Sequence, residues 1–177
     1  MLVRWLPFFL NVTALLIGIK MKSRQLSKLS AWQLFTICSA VVYVMAIGYL
    51  TLAPTSYAFV KNQQVTVMMV GSAPVNLIPF WSTTADFYQN MIMMVPLGGY
   101  LALLVPTFKL KDVVLTGILV SIGIETLQFV LDLTINLSRW VDVNDVLTNA
   151  PGVVIGWLLI VLIKHTPLRK VIKKWML

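Results

Sequence analysis

The chain has 177 residues, of which 59% are hydrophobic and only 11% charged, and its mean hydropathy is +0.87. A soluble domain is about a quarter charged, so the composition excludes a soluble protein and defines a single membrane domain over 1–177, with no room for a second large unit. The net charge of +8 would suggest nucleic acid in a soluble chain; in a membrane protein it marks the cytoplasmic side and anionic lipid, and no nucleic-acid partner is expected.

A bilayer core takes roughly 20 apolar residues per helix, and five stretches approach that length. The first, about 5–19, precedes its basic cluster (Lys20, Lys22, Arg24, Lys28) and ends in no A-x-A-like site, so it reads as a retained span, not a signal peptide. The second, about 31–53, contains the single cysteine, Cys38, which is expected in the core and has no partner for an internal disulfide. Segment 54–88 follows, with two apolar runs, VTVMMV (65–70) and NLIPFW (76–81), and only Lys61 and Asp86 charged. It predicts a short hairpin plus a re-entrant stretch covered by protein, with Tyr57, Phe59, Phe80, Trp81, Phe87 and Tyr88 at headgroup level. The third span, about 89–105, begins at Asn90, and its Pro96-Leu97-Gly98-Gly99 predicts a kinked or loosened helix. The Met91–Met94 group reads as core or lipid-facing filler.

The fourth span, about 112–131, opens with Asp112, where an acid favours a helix N-terminus. Within it Gly117, Ser121, Glu125 and Gln128 follow at spacings of four, four and three, which puts them on one stripe. A carboxylate inside a span costs a few kcal/mol unless it finds a partner, a watery cavity or a proton. Glu125 is therefore predicted to face the bundle, about 9 Å from the outer end of its span at 1.5 Å per residue. The fifth span, about 147–163, is preceded by Arg139, Asp142 and Asp145. From Asp142 the spacings three, four, three and four run through Asp145, Asn149, Gly152 and Gly156. Gly152 and Gly156 form a G-x-x-x-G pair, which permits close helix approach; the simplest arrangement packs this face against the stripe of span four. The basic tail 164–177 contains the only histidine, His165. It also alternates Leu168, Val171, Ile172, Trp175 and Met176 with Arg169, Lys170, Lys173 and Lys174, which predicts a short amphipathic helix on the inner membrane surface.

Charge orients the bundle. Eleven of the fourteen Lys and Arg lie in 20–30, 106–111 and 164–177, and five spans put all three segments on one side. The positive-inside rule makes that side cytoplasmic, with the N-terminus out and the C-terminus in. Asp86, Asp132, Asp142 and Asp145 fall on the opposite side. The fold class is thus an all-α polytopic bundle of about five transmembrane helices.

Familiar chemistries find no support. No His/Cys cluster has zinc spacing, a serine nucleophile has no histidine on its side of the membrane, and no glycine-rich phosphate loop precedes a lysine. Neither a metal nor a cofactor is expected. The blander reading of Glu125 with Gln128 is glue between helices; Asp142 and Asp145 read equally well as acids capping span five, and Arg139 as their counter-ion.

The ordered set NLIPF (76–80), N-x5-P-L-G from Asn90 to Gly98, S-x-x-x-E-x-x-Q (121–128) and R-x-x-D-x-x-D-x-x-x-N-x-x-G-x-x-x-G (139–156) resembles the VanZ family, over a core of about 74–160. The resemblance implies a multi-pass protein of the bacterial cytoplasmic membrane that lowers susceptibility to teicoplanin and other glycopeptides with a lipid tail. It supplies no mechanism. The motif residues carried across as ligand-binding candidates are Asn76, Asn90, Ser121, Glu125, Gln128, Arg139, Asp142, Asp145 and Asn149. Two classes of function stay open. In one, an outer-leaflet pocket binds a membrane lipid, a lipid-linked envelope precursor or the drug, with Arg139 on a phosphate or carboxylate. In the other, an enzyme acts on a lipid headgroup with Glu125, Asp142 or Asp145 as catalytic candidates. A transporter with Glu125 as proton carrier is the third reading, disfavoured by the lack of an inverted repeat.

Overall fold

The computed structural model describes residues 2–54, 68–80 and 85–177, the side chain of Asp86 excepted. The aromatic positions Tyr57, Phe59 and Trp81, with Lys61 and the first half of VTVMMV (65–67), lie outside the described residues. After a short 3-10 turn, the helices are α1 (Leu6–Leu26), α2 (Ala31–Leu52), α3 (Ala85–Leu104), α4 (Leu110–Ile135), α5 (Val143–Lys164) and α6 (Arg169–Trp175). Five of them are long and apolar enough to cross a membrane, as the hydropathy predicts. Pro7 sits in the first turn of α1, where its missing N–H costs nothing. Ser30 and Gln33 form a reciprocal capping box that starts α2. Asp112 accepts from the Lys109 amide at 2.9 Å at the start of α4, the role read from sequence.

The core is a three-helix unit of α3, α4 and α5 centred on Met94, Val113 and Val153. Its tightest seam lies between α3 and α5, which corrects the expectation that the span-five glycines face span four. A Cβ on Gly156 would fall 1.8 Å from the Val95 carbonyl oxygen, one on Gly152 2.2 Å from that of Met91, and one on Gly98 1.8 Å from that of Val153. Backbones approach this closely only where both helices present small residues. Gly98 supplies the match on α3, so the Pro96–Gly99 segment is a packing surface within a continuous helix. On α4 only Gly117 allows comparable contact, with its Cβ position 3.1 Å from Ala150 Cα; beyond it the side chains of Ser121, Glu125 and Gln128 occupy the space between the helices.

The apolar segment before α3 contains a hairpin, as predicted. β1 (Met68–Val70) pairs antiparallel with β2 (Ala73–Asn76), which pairs in parallel with β3 (Val141–Asp142), in the order β1-β2-β3. Gly71 takes φ +64° in the two-residue turn, a conformation glycine adopts without strain. All four residues of β2 are buried. Backbone away from helices is tolerated in a membrane protein only where protein covers it, and here the covering elements are the helix ends themselves.

α1 is peripheral and buries no residue. It leans on α2 through Trp5 and Phe8, whose ring centroids lie 6.2 and 5.8 Å from that of Tyr49, and through Asn11 at Gly48. Cys38 is exposed on the outside of α2, where an apolar thiol suits lipid; the expectation of a core cysteine fails because α2 turns only part of its circumference inward. At the opposite end of the chain, α6 folds back onto the bundle. Trp175 packs on Trp32 (4.7 Å) and Phe35 (5.4 Å). Thr36 Oγ1 donates to the Trp175 carbonyl at 3.0 Å, Gln33 Nε2 to that of Met176 at 2.8 Å, and the Leu177 amide to that of Leu103 at 3.0 Å. These contacts bring the basic segments 20–30, 106–111 and 164–177, with Asp112, to one end of the bundle and leave the sheet with Asp132, Asp142 and Asp145 at the other.

Candidate functional site

The site is built on the stripe of α4. Val113, Gly117, Ser121, Glu125, Gln128 and Asp132 are all buried, so the stripe predicted from spacing exists and continues one turn further. Asp132 was expected among the outer loop acids. It belongs to the helix because α4 runs to Ile135 and is closed only by Asn136 in the left-handed region, φ 51°. Glu125 is therefore ten residues from the end of α4, or about 15 Å along its axis, deeper than the predicted 9 Å. The chain after Asn136 turns back alongside the helix and carries Asp142 down to its level.

There the Asp142 amide donates to Glu125 Oε2 at 2.8 Å. Asp142 is itself the N-cap of α5: its Oδ1 accepts from the Asn144 amide at 2.8 Å and from Asn76 Nδ2 at 3.0 Å. Asn76 Oδ1 accepts from the Ile78 amide at 3.0 Å. One carboxylate thus ties the start of α5 to the strand β2 that pairs with β3. Asp145, in the first turn of α5, receives a short hydrogen bond from Asn90 Nδ2 on α3. Its carbonyl accepts from Ser121 Oγ at 3.2 Å, and Ser121 Oγ in turn accepts from Asn149 Nδ2 at 3.1 Å. Gln128 Nε2 donates to the Thr51 carbonyl at 3.0 Å, the last turn of α2. Seven of the nine sequence candidates therefore gather between α3, α4, α5 and the sheet at one end of the bundle, while Gln128 bonds to the last turn of α2.

Arg139 directs its side-chain hydrogen bonds to a helix end, with Asp132 and Asp145 as its electrostatic partners. Its Nε and Nη2 donate to the Ala53 carbonyl at 3.0 and 2.8 Å, and its amide donates to Asp132 Oδ1 at 3.2 Å. The guanidinium caps the C-terminus of α2, a position where a cation also meets the negative end of the helix. Burial pushes its pKa down, opposed by Asp132, Asp145 and Tyr49; a guanidinium remains charged regardless.

Sequence reasoning missed Asp132, Asn144, Thr51 and Ala53. Asp132 carried a signal: four residues past Gln128, it continues the stripe. Asn144 carried none. It accepts at Oδ1 from the Phe80 amide at 2.7 Å and so holds Phe80 at φ 57°, an outlier for a bulky residue. Thr51 and Ala53 act through backbone carbonyls, which any residue type supplies.

Five side chains of the cluster keep a sealed polar atom without a hydrogen-bond partner: Glu125 Oε1, Gln128 Oε1, Asp132 Oδ2, Asn149 Oδ1 and Asn144 Nδ2. Native structures leave only a few such groups per hundred residues, and here they concentrate in one place.

Five membrane-length helices with a polar cluster enclosed at one end define a multi-pass membrane protein. The model of the VanZ/LLP1 family matches residues 40–164, from within α2 to the end of α5, and the chain belongs to that family. No curated protein and no solved structure matches it.

Proposed function

We propose that this protein lies in the bacterial cytoplasmic membrane with the acidic end facing out and lowers susceptibility to teicoplanin and related lipoglycopeptides. It does so by binding an amphiphile, either a membrane lipid, a lipid-linked envelope precursor or the drug, at the polar cluster. Family membership supports the biological role. The observation that carries the binding reading is the concentration of buried, unfilled hydrogen-bonding atoms in the cluster, on Glu125, Gln128 and Asn149 and, beside them, on Asp132 and Asn144. An unmade buried hydrogen bond costs about 1–3 kcal/mol, and a bound headgroup is the natural source of the missing partners. Asn76, Asn90, Ser121, Asp142 and Asp145 position the cluster, and Arg139 fixes the end of α2 beside it.

The test has two parts. Isogenic strains with and without the protein are compared for susceptibility to lipid-tailed and tail-free glycopeptides, with protection expected only against the former. The protein is then purified and its co-purifying lipid identified by mass spectrometry. Stoichiometric, chemically unchanged lipid is the expected result; turnover on incubation would replace binding with headgroup chemistry on Glu125, Asp142 or Asp145. Equal susceptibility of the two strains would remove the resistance role.

A further inference from the structure

We infer that the ligand of this site presents a primary ammonium group to the α4 stripe. The inference rests on the binding reading above and specifies its chemistry.

The first ground is the identity of the unfilled atoms, which the surrounding bonds fix. Ser121 Oγ has one hydrogen and gives it to the Asp145 carbonyl, so toward Asn149 it can only accept. The amide atom 3.1 Å away is therefore Nδ2, and Asn149 Oδ1 is left as an acceptor without a donor. The Thr51 carbonyl has no hydrogen to give, so the Gln128 atom facing it is Nε2 and Oε1 is the unfilled acceptor. Glu125 Oε2 takes the Asp142 amide hydrogen, and Oε1 has none. Three acceptors on neighbouring turns thus lack donors, on residues only 7%, 6% and 3% exposed for Glu125, Gln128 and Asn149.

The second ground is charge. The electrostatic neighbours of Glu125 are two further carboxylates, Asp142 and Asp145, and no cation; Arg139 bonds to the Ala53 carbonyl, and the acids it faces are Asp132 and Asp145. Buried charges are normally paired, and a neutral hydroxyl ligand would supply hydrogen bonds without the charge. Among the described residues no three His, Cys, Asp or Glu side chains converge as metal ligands, which points to an organic cation. Glu125 and Gln128 stand one turn apart on α4, and Asn149 reaches the same stripe from α5 through Ser121; a primary ammonium carries three N–H donors, one for each acceptor. A trimethylammonium carries the charge and no donors, so it meets only half of the requirement.

The same chemistry occurs in a lipid headgroup and in a soluble amine, and the experiment separates them. The full-length protein in detergent micelles is titrated with phosphatidylethanolamine, phosphatidylcholine and phosphatidylglycerol of identical acyl chains, and separately with water-soluble ethanolamine. Retention is read by native mass spectrometry and stabilisation by thermal unfolding. The expected result is at least tenfold tighter retention of the ethanolamine lipid than of the other two, with the preference lost in Glu125→Gln. Stabilisation by ethanolamine alone assigns the site to the amine itself; stabilisation by the lipid only assigns it to the anchored headgroup. Equal retention of all three lipids, or an ethanolamine preference unchanged in Glu125→Gln, overturns the ammonium assignment and leaves a lipid site standing. Retention of no lipid removes the lipid-binding reading as well. The three-lipid comparison on the unmodified protein decides the matter even where the variant does not fold.

Discussion

At Glu125 the two carboxylate oxygens have different surroundings, and substitutions separate them. Oε2 serves the fold by accepting the Asp142 amide; Oε1 has no protein partner. Glu125→Gln keeps an oxygen for Asp142 and removes the charge, so abundance and thermal stability should stay near normal while lipoglycopeptide protection falls. Glu125→Leu also strands the Asp142 amide, at a cost of about 1–3 kcal/mol, and should lower stability as well. Abundance, thermal unfolding and susceptibility measured for both variants in one strain check this; full protection from a normally abundant Leu variant would show that Glu125 is neither support nor site. Asp142 has the opposite profile. Its carboxylate caps α5 and holds Asn76, so Asp142→Ala should lose about 1 kcal/mol for the cap and more for the stranded Asn76 amide. Chemical denaturation in detergent measures that loss, and an unchanged midpoint would contradict the capping role.

At the scale of elements, the seam between α3 and α5 is the feature least tolerant of change. The atoms that a Gly156 Cβ would meet are backbone, including the Val95 carbonyl oxygen 1.8 Å away, and no rotamer change relieves that clash. Gly156→Ala should therefore force the helices apart and destabilise the fold by about 1–3 kcal/mol or more. Gly123→Ala on α4, with nothing within 4 Å of its Cβ, is the control and should leave thermal stability intact. The amphipathic tail is the second element with a testable share. Trp175 and Ile172 turn toward the bundle, whereas Leu168 and Val171 stay half exposed beside the basic residues, an arrangement suited to lying at a membrane surface. Deleting 167–177 removes the ring contacts on Trp32 and Phe35 and should reduce thermal stability and membrane abundance more than protection per molecule. A normally abundant truncation without protection would give the tail a direct role.

For the molecule as a whole, the contacts sort the chain into two ends: one gathers the basic segments with Asp112, the other the sheet, Asp132, Asp142, Asp145 and Arg139. The positive-inside rule predicts that the basic end faces the cytoplasm. In a Cys38→Ser background, a cysteine at exposed Asn136 should react with an impermeant reagent applied to whole cells, and one at exposed Ser23 should not. Labelling at Ser23 would reverse or break the five-span topology.

The sequence by itself determined the helices and the polar stripe. Span length and hydropathy follow from the thickness of a bilayer, and the spacing 117-121-125-128 follows from the helical repeat, so both are local properties of the chain. The family motifs likewise marked seven residues that the fold gathers between α3, α4, α5 and the sheet. Only the tertiary structure decided which surfaces meet. The glycines of α5 pair with α3 because Gly98 there allows backbone contact, a match between distant residues that no local pattern reveals. Arg139 hydrogen-bonds the Ala53 carbonyl because the end of α2 lies beside it. Asp142 reaches Glu125 through its backbone amide because the chain folds back after Asn136, and a backbone group leaves no mark in sequence.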